Sequence, residues 1–318
     1  MQISVIICTH NPRPDYLRRV LDALQAQTLP KEEWELLLID NASDEPLDKK
    51  WDLSWHLHGR HIRESELGLT PARFRGIKES LGDSLVFVDD DNVLAADYLS
   101  VARDLMLSRP WIGALGGGFI GEFESEPEHM DQAVLDNLAL FEVKHEAWGC
   151  LPGTKALVFA PCGAGMVIRR AVCAFYAKNA ATDSLRRGLG RKGASLASAE
   201  DSDMALSACA LGFAVGRFPQ LQLTHLIPAR RLKKDYLLRL SEEMTFSHTL
   251  LAFVWDGVVP SMTEDRPSRS ERLFRSYRAM RSFLKGGALS FEVERGNARA
   301  RGFEKAAKLI QSQQKGIS

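Results

Sequence analysis

The chain has 318 residues, 45% hydrophobic and 26% charged, a balance typical of a globular protein of one or two domains, which excludes disordered and collagen-like chains. No window of 18 apolar residues occurs and no basic leader precedes the first apolar run, so we expect no membrane-spanning helix, no secretory signal and a cytoplasmic protein with reduced thiols. The 41 basic and 41 acidic side chains cancel, but residues 266–318 carry 13 basic against 4 acidic ones, so a basic tail follows an acidic body.

Strand and helix patterns alternate over the first hundred residues. The predicted strands are Ile3–Cys8, Trp34–Ile39, His61–Glu64 and Ser84–Val88. A helix from about Asp15 has its apolar face at Leu17, Val20, Leu21 and Leu24. A second helix is predicted with Thr70 as its cap, Pro71 at its first position, and a buried stripe of Phe74, Ile77 and Leu81. This alternation predicts right-handed βαβ units, an α/β fold and a mostly parallel sheet.

The pattern changes from about Trp111. Two glycine-rich strands are predicted, at Gly113–Ile120 and Cys162–Ile168, and residues 184–199 read as a flexible basic loop. A helix follows at 200–211, then strands at 213–218 and 221–226, and beyond Pro228 the chain is predicted to be helical.

Polar side chains follow the predicted strands, at the edge where ligands bind in parallel sheets. The strongest pattern is VFVDDDN at 86–92, which suits a divalent cation bound through oxygen ligands, or else forms a solvated acidic turn. Asp40 ends the second strand and either accepts hydrogen bonds from a nucleoside or makes an Asx turn. AEDSDM at 199–204 provides either a general base or a helix cap, and His225 is either a metal ligand or a packed side chain.

The order of these motifs resembles family 2 glycosyltransferases of the GT-A fold. The matching stretches are SVIICTHN (4–11), LLLIDNASD (36–44), ELGLTPARFRGI (66–77), VFVDDDN (86–92), CGAGMVIRR (162–170) and EDSDMALSACALGFAVGRFP (200–219). The resemblance implies a Rossmann-like catalytic domain over 1–235, with a nucleotide-sugar half at 1–110 and an acceptor half at 111–235. A mainly helical, basic extension would follow at 236–318.

The resemblance also implies a role for each matching residue. Asp201 corresponds to the catalytic base of an inverting transfer from a nucleotide-sugar, with a UDP-sugar favoured, to an acceptor hydroxyl. Mn²⁺ or Mg²⁺ would be held by Asp89, Asp91 and His225. The implied donor-binding residues are Thr9, Asn11, Asp40, Arg73, Asp89 and Asp90. The implied acceptor-binding residues are Gly163, Ala164, Gly165 and Glu200.

The chain departs from the family pattern in several places. Phe74 stands where the family often has Asn, and Ala199 where it often has Gly before the ED pair. No QxxRW motif follows, which argues against a processive synthase. A sugar-phosphate nucleotidyltransferase and a non-catalytic nucleotide-sugar-binding module remain as alternatives.

Two basic segments have two interpretations each. Arg186, Arg187, Arg191 and Lys192 either close over the donor diphosphate or acceptor or stay solvated. A basic amphipathic helix at 269–285 either contacts an anionic membrane at the inner face, close to a lipid-linked acceptor, or packs on the catalytic domain. The other expected acceptor class is a carbohydrate. We expect no nucleic acid partner, because no reading motif occurs.

Overall fold

The structure is a computed structural model that describes residues 2–127, 132–260 and 291–315. Within these ranges, nine strands form one sheet in the order β3-β2-β1-β4-β8-β6-β9-β5, with β7 paired to β9. The strands are β1 (Ile3–Thr9), β2 (Trp34–Asn41), β3 (Gly59–Glu64), β4 (Ser84–Val88), β5 (Asn92–Leu94), β6 (Ile112–Phe123), β7 (Ala147–Gly149), β8 (Val167–Arg169) and β9 (Ala214–Ile227).

Helices cover the faces of this sheet and extend beyond it. They are α1 (Pro14–Gln25), α2 (Leu69–Glu79), α3 (Tyr98–Ser108), α4 (Gln132–Asn137), α5 (Arg170–Thr182), α6 (Ser184–Arg187), α7 (Glu200–Ala210), α8 (Lys234–Asp256) and α9 (Phe291–Lys315). Short 3-10 turns lie at Lys31–Glu33, Leu47–Lys49, Gly153–Val158 and Ala229–Leu232.

The first half of the sheet is built as the sequence predicts. Strands β3, β2, β1 and β4 are parallel neighbours, and β2 and β4 are buried along their whole length, which explains their unbroken apolar runs. The four predicted apolar positions of α1 are all buried. On the opposite face, Gly76 of α2 lies against Ile6, where an added Cβ would come within 2.5 Å of the Ile6 Cγ2 atom.

The second half of the sheet is mixed. Strands β6 and β9 are parallel, but β8 runs antiparallel to both β4 and β6, and β5 and β7 run antiparallel to β9. The α/β class is therefore confirmed, with parallel pairing concentrated in the first half. The two predicted strands at 213–218 and 221–226 form the single strand β9, whose register against β6 shifts where Gly116 and Gly118 oppose it.

Three local predictions were wrong for identifiable reasons. Helix α2 begins one residue before Thr70 and is preceded by Gly68, whose φ of 142° suits glycine. Leu81 is 67% exposed because the helix already ends at Glu79. The strand predicted at 162–168 is confined to β8, because Gly165 (φ 70°) turns the preceding residues away from the sheet.

Helix α8 is attached to the sheet domain by side-chain contacts. Trp255 Nε1 donates to Asp203 of α7 at 2.7 Å, and the backbone N–H of Ser198 donates to Ser247 Oγ at 3.1 Å. Helix α9 packs on α8 so closely that an added Cβ at Gly302 would lie 2.1 Å from a backbone oxygen. The division at residue 235 remains a prediction, and the basic helix at 269–285 lies outside the described residues. None of the helices within the described ranges is long and apolar enough to cross a membrane.

Candidate active site

A cleft of about 740 Å³ opens at the carboxyl ends of β1 and β4 and extends to the beginning of α7. The structure brings residues from distant parts of the sequence to its walls. Of the residues implied as catalytic, donor-binding, acceptor-binding or metal-binding, those that line the cleft are Thr9, Arg73, Asp89, Asp90, Asp91, Gly163, Ala164, Glu200, Asp201 and His225. Acids near residue 90 and near residue 200 therefore face one cavity.

The three consecutive acids after β4 differ in their surroundings. Asp90 accepts a hydrogen bond from the Thr9 hydroxyl, and burial together with the neighbouring Asp91 raises the pKa of Asp90 to about 7. Burial would also raise the pKa of Asp91, but His225 and Arg231 outweigh it and lower this pKa to about 2. Asp89 stays 43% exposed toward the cleft. The corner therefore holds one stably ionised, one open and one readily protonated carboxyl group.

A buried arginine is part of this acidic corner, which the sequence analysis missed. Arg231 Nη1 lies 3.0 Å from Asp91 Oδ2 and 3.1 Å from His225 Nε2. It comes from the 3-10 turn at Ala229–Leu232, directly after β9. The only signal in the sequence is a pair of arginines six residues after His225, and such a pair ordinarily indicates a solvated turn.

The first turn of α7 holds a second group of polar side chains. Glu200 is buried, where it accepts hydrogen bonds from Arg73 Nη1 at 3.0 Å and from the Tyr176 hydroxyl at 3.1 Å, and burial raises its pKa. Arg73 Nη2 also lies 3.9 Å from Asp89 Oδ1. Arg73 thus joins the α7 acids to the acidic corner through a cation that cannot be deprotonated.

Asp201 is held by backbone donors rather than by a cation. Its Oδ2 accepts from the N–H of Gly163 at 2.8 Å, and its Oδ1 accepts from the N–H of Ser202 at 2.8 Å. Gly163 fits this position because an added Cβ would lie 2.8 Å from the Asp201 Cβ. Gly165 does not line the cleft, but its carbonyl accepts from the buried Tyr98 hydroxyl at 2.6 Å and so fixes the loop.

Two residues predicted to bind the donor lie outside the cleft walls. Asp40 makes the Asx turn that the sequence left as its alternative, accepting from the N–H of Ser43 at 2.9 Å and from Arg63 at 2.6 Å. Asn11 donates to Asp44 at 3.0 Å. Their donor roles remain predictions. Asn41, to which the sequence analysis gave no role, lines the cleft instead.

The basic residues of the predicted flexible loop separate into two pairs. Arg191 and Lys192 line the cleft. Arg187 pairs with Glu66 at 2.6 Å on the surface. Arg186 lies over the Trp255 ring, 4.7 Å from its centroid, and 3.7 Å from Asp203. Two of these four basic side chains therefore make contacts that hold the fold together, and the other two face the cavity.

A metal site in this cleft would depend on the acids of the corner. Among the described residues, no group of three or more His, Cys, Asp or Glu side chains is arranged to hold a metal ion. Asp91 and His225 do not form such a group, because the guanidinium of Arg231 contacts both side chains. The exposed Asp89 and the ionised Asp91 still suit a hard divalent cation whose other ligands come from a bound diphosphate. The residues present thus fit a shared metal site, in which protein and bound diphosphate both supply ligands, better than a site formed by the protein alone.

Helix α8 contributes two cleft residues that carried no sequence motif, Met244 and His248. They are spaced four residues apart and lie on one face of the helix. The His248 side chain is exposed at the cleft. Both lie beyond residue 235, where the sequence analysis placed the end of the catalytic domain.

Comparisons with known proteins agree with this architecture. The sequence profile of the family described as Glycosyl transferase family 2 matches residues 4–162, half of the chain. Glycosyltransferase AglE of Haloferax volcanii is 30% identical over 92 residues, which cover 28% of this chain and 30% of AglE. The match therefore spans less than a third of that curated relative.

Two solved structures share the fold along nearly the whole chain. S. aureus TarS 1-349 has a TM-score of 0.51 at 16% identity, covering 99% of this chain and 92% of that one. Mannosyltransferase PcManGT from Pyrobaculum calidifontis, in complex with GDP-Man and Mn²⁺, has a TM-score of 0.52 at 16% identity, covering 99% and 80%. TarS has also been solved in complex with UDP-GlcNAc, with a TM-score of 0.50. These likenesses show the GT-A fold.

Proposed function

Because the chain belongs to glycosyl transferase family 2, we propose that it transfers a sugar from a nucleotide-diphosphate donor to an acceptor hydroxyl, with inversion at the anomeric carbon. The observation that carries this proposal is the placement of Asp201 and Asp89–Asp91 in one cleft, with Arg73 between them. A single displacement needs a base and a stabilised leaving group on opposite sides of the reacting carbon, and this cleft has acids suited to each task.

Asp201 is the base in this proposal. An alcohol has a pKa far above 7, so its proton must leave as the new glycosidic bond forms. The two backbone donors on Asp201 hold its carboxylate in one orientation and leave the second lone pair of each oxygen for the acceptor hydroxyl. Its neighbour Glu200 is engaged by Arg73 and Tyr176, which makes it a positioning residue rather than a second base.

The donor diphosphate lies toward Asp89–Asp91 in this proposal. A divalent cation, Mn²⁺ or Mg²⁺, held by Asp89 and Asp91 would neutralise charge on the leaving nucleoside diphosphate. Arg191 on the cleft wall supplies further positive charge toward Asp89 and Asp91, and Lys192 lines the same cleft. His225 and Arg231 keep Asp91 ionised, which preserves a carboxylate for the cation at acidic pH.

The donor is proposed to be a UDP-sugar. The support is the family resemblance and a neighbour solved with UDP-GlcNAc, although another neighbour is solved with GDP-Man. The acceptor is proposed to be a carbohydrate or a lipid-linked carbohydrate. A cytoplasmic location, with contact to an anionic membrane through 269–285, is a proposal from the sequence alone.

The decisive experiment separates donor binding from turnover. Purified protein is incubated with a panel of UDP- and GDP-sugars, and nucleotide release is measured with and without carbohydrate acceptors. Asp201→Asn should lower turnover by about 10² to 10⁴-fold and leave donor affinity within about twofold. Asp104→Asn, on the exposed face of α3, is the matched control and should behave as wild type. Equal loss of binding and turnover in Asp201→Asn would remove Asp201 from the role of base.

Metal use is tested by titrating UDP with and without Mn²⁺. We expect Mn²⁺ to tighten UDP binding to the wild type and to have little effect on Asp89→Asn, because that variant lacks the exposed carboxylate of the corner. UDP binding of equal strength with and without the metal would contradict the shared metal site.

A further inference from the structure

Two cysteines outside the cleft, Cys150 and Cys209, lie against each other. Cys150 directly follows β7, and Cys209 is in the last turn of α7. Cys150 Sγ donates to the backbone carbonyl of Cys209 at 3.8 Å. The Cys150 thiol and the backbone N–H of Leu151 are both neighbours of the Cys209 sulfur. The Cys150 thiol therefore contacts Cys209 directly.

The surroundings of this pair differ from those of the other three cysteines. Cys150 is exposed and Cys209 is half-buried. Cys173 is fully buried, and Cys8 and Cys162 face the cleft with pKa values strongly raised by burial. A reagent in solution therefore meets Cys150 before any of the others, and the Cys150 thiol is in contact with Cys209.

We propose that Cys150 and Cys209 are a reversible thiol modification site, which closes to an intramolecular disulfide when the protein meets a small disulfide such as oxidised glutathione. This site is independent of the sugar-transfer chemistry. It is assigned on the contact of the Cys150 thiol with Cys209 and on the exposure of Cys150.

The exchange balances in two steps. Cys150 loses its proton to water, and its thiolate attacks one sulfur of the oxidant, which forms a mixed disulfide and releases one glutathione thiolate that takes up a proton. Cys209 loses its proton to water, attacks the Cys150 sulfur and releases the second glutathione. Two protein thiols lose two electrons in total, and the oxidant gains them. Burial and the neighbouring Cys150 thiol raise the pKa of Cys209 to about 11, so Cys209 is the slower, resolving thiol.

The bond would connect two segments that reach the cleft. From Cys150 the chain continues through the turn at Gly153–Val158 to Pro161 and Cys162 on the cleft wall. From Cys209, α7 leads back to Asp201 in its first turn. A crosslink between positions 150 and 209 closes a long loop of the chain, which restricts the unfolded state and stabilises the fold.

The test uses the full-length protein and oxidised glutathione. Mass spectrometry should show the loss of two hydrogen atoms, digestion should recover a peptide that joins positions 150 and 209, and dithiothreitol should reverse both changes. The thermal midpoint of the oxidised wild type should rise by at least about 4 °C, given the length of the closed loop.

Cys150→Ser and Cys209→Ser are the matched variants, and neither should lose two hydrogens or gain in thermal midpoint. Because Cys150 is exposed, Cys150→Ser should keep the midpoint of the reduced wild type. The proposal would be overturned by an absence of reaction, by a stable glutathione adduct at Cys150 without closure, or by a crosslink that includes Cys8 or Cys162.

Discussion

Replacing Arg73 by Met should destabilise the fold severely, since this residue is the buried cation between Glu200 and Asp89. Arg73 and Glu200 are about 95% or more buried and 3.0 Å apart. Breaking a buried ion pair from one side typically costs 3–5 kcal/mol, because the remaining charge is left uncompensated. Glu200 already has a raised pKa, so it can take up a proton, and Asp89 is partly solvated. We therefore expect a loss at the lower end, about 3 kcal/mol.

The assay is urea denaturation followed by tryptophan fluorescence. Arg75→Met is the matched control on the same helix, since Arg75 pairs with Glu79 at the surface and should cost no more than about 1 kcal/mol. Glu200→Gln removes the charge opposite Arg73, so the double variant should be more stable than the sum of the two single losses by about 2 kcal/mol. Additive losses, or an Arg73→Met cost equal to that of the control, would refute this account of the network.

Further predictions concern the cleft loop and the pH dependence of stability. Gly163→Ala should lower turnover at least about tenfold, because the new Cβ would displace Asp201. Gly296→Ala is the control and should keep the wild-type turnover, because its new Cβ meets no atom within 4 Å. Initial rates of the two variants test this prediction. Burial raises the pKa of Asp203 to about 6 from 3.8, so its ionisation should lower the free energy of unfolding by about 2 kcal/mol as the pH rises from 4 to 7. Urea midpoints of Asp203→Asn should fall less than those of the wild type over this range, and parallel curves would contradict the assignment.

Much of the fold could be predicted because the strands that carry the site are continuous apolar runs. Strands β1, β2 and β4 are buried on both faces, so composition and length alone identify them. The acids that follow them can then be placed at one edge of the sheet. The order of the motifs supplied the family, which the comparisons confirmed.

The rest depended on partners that are remote in sequence. Whether Asp40 makes an Asx turn was decided in part by Arg63 on the neighbouring strand β3. The position of Arg186 depends on its contact with Trp255, which lies 69 positions further along the chain. Long-range pairings of this kind have no local pattern. The sequence also did not predict which face of α8 lies toward the cleft, because the apolar residues of this helix do not form one clear stripe.

The attachment of α8 bears on any attempt to redesign the cleft. Exchanging this helix for that of a relative would change part of the cleft wall, because Met244 and His248 would be replaced with it. The same helix supplies Trp255 to Asp203 and Ser247 to the loop before α7. A chimera that keeps these two contacts and varies only the cleft-facing positions should preserve the position of Asp201, whereas an exchange that loses them should disturb the helix that carries Asp201.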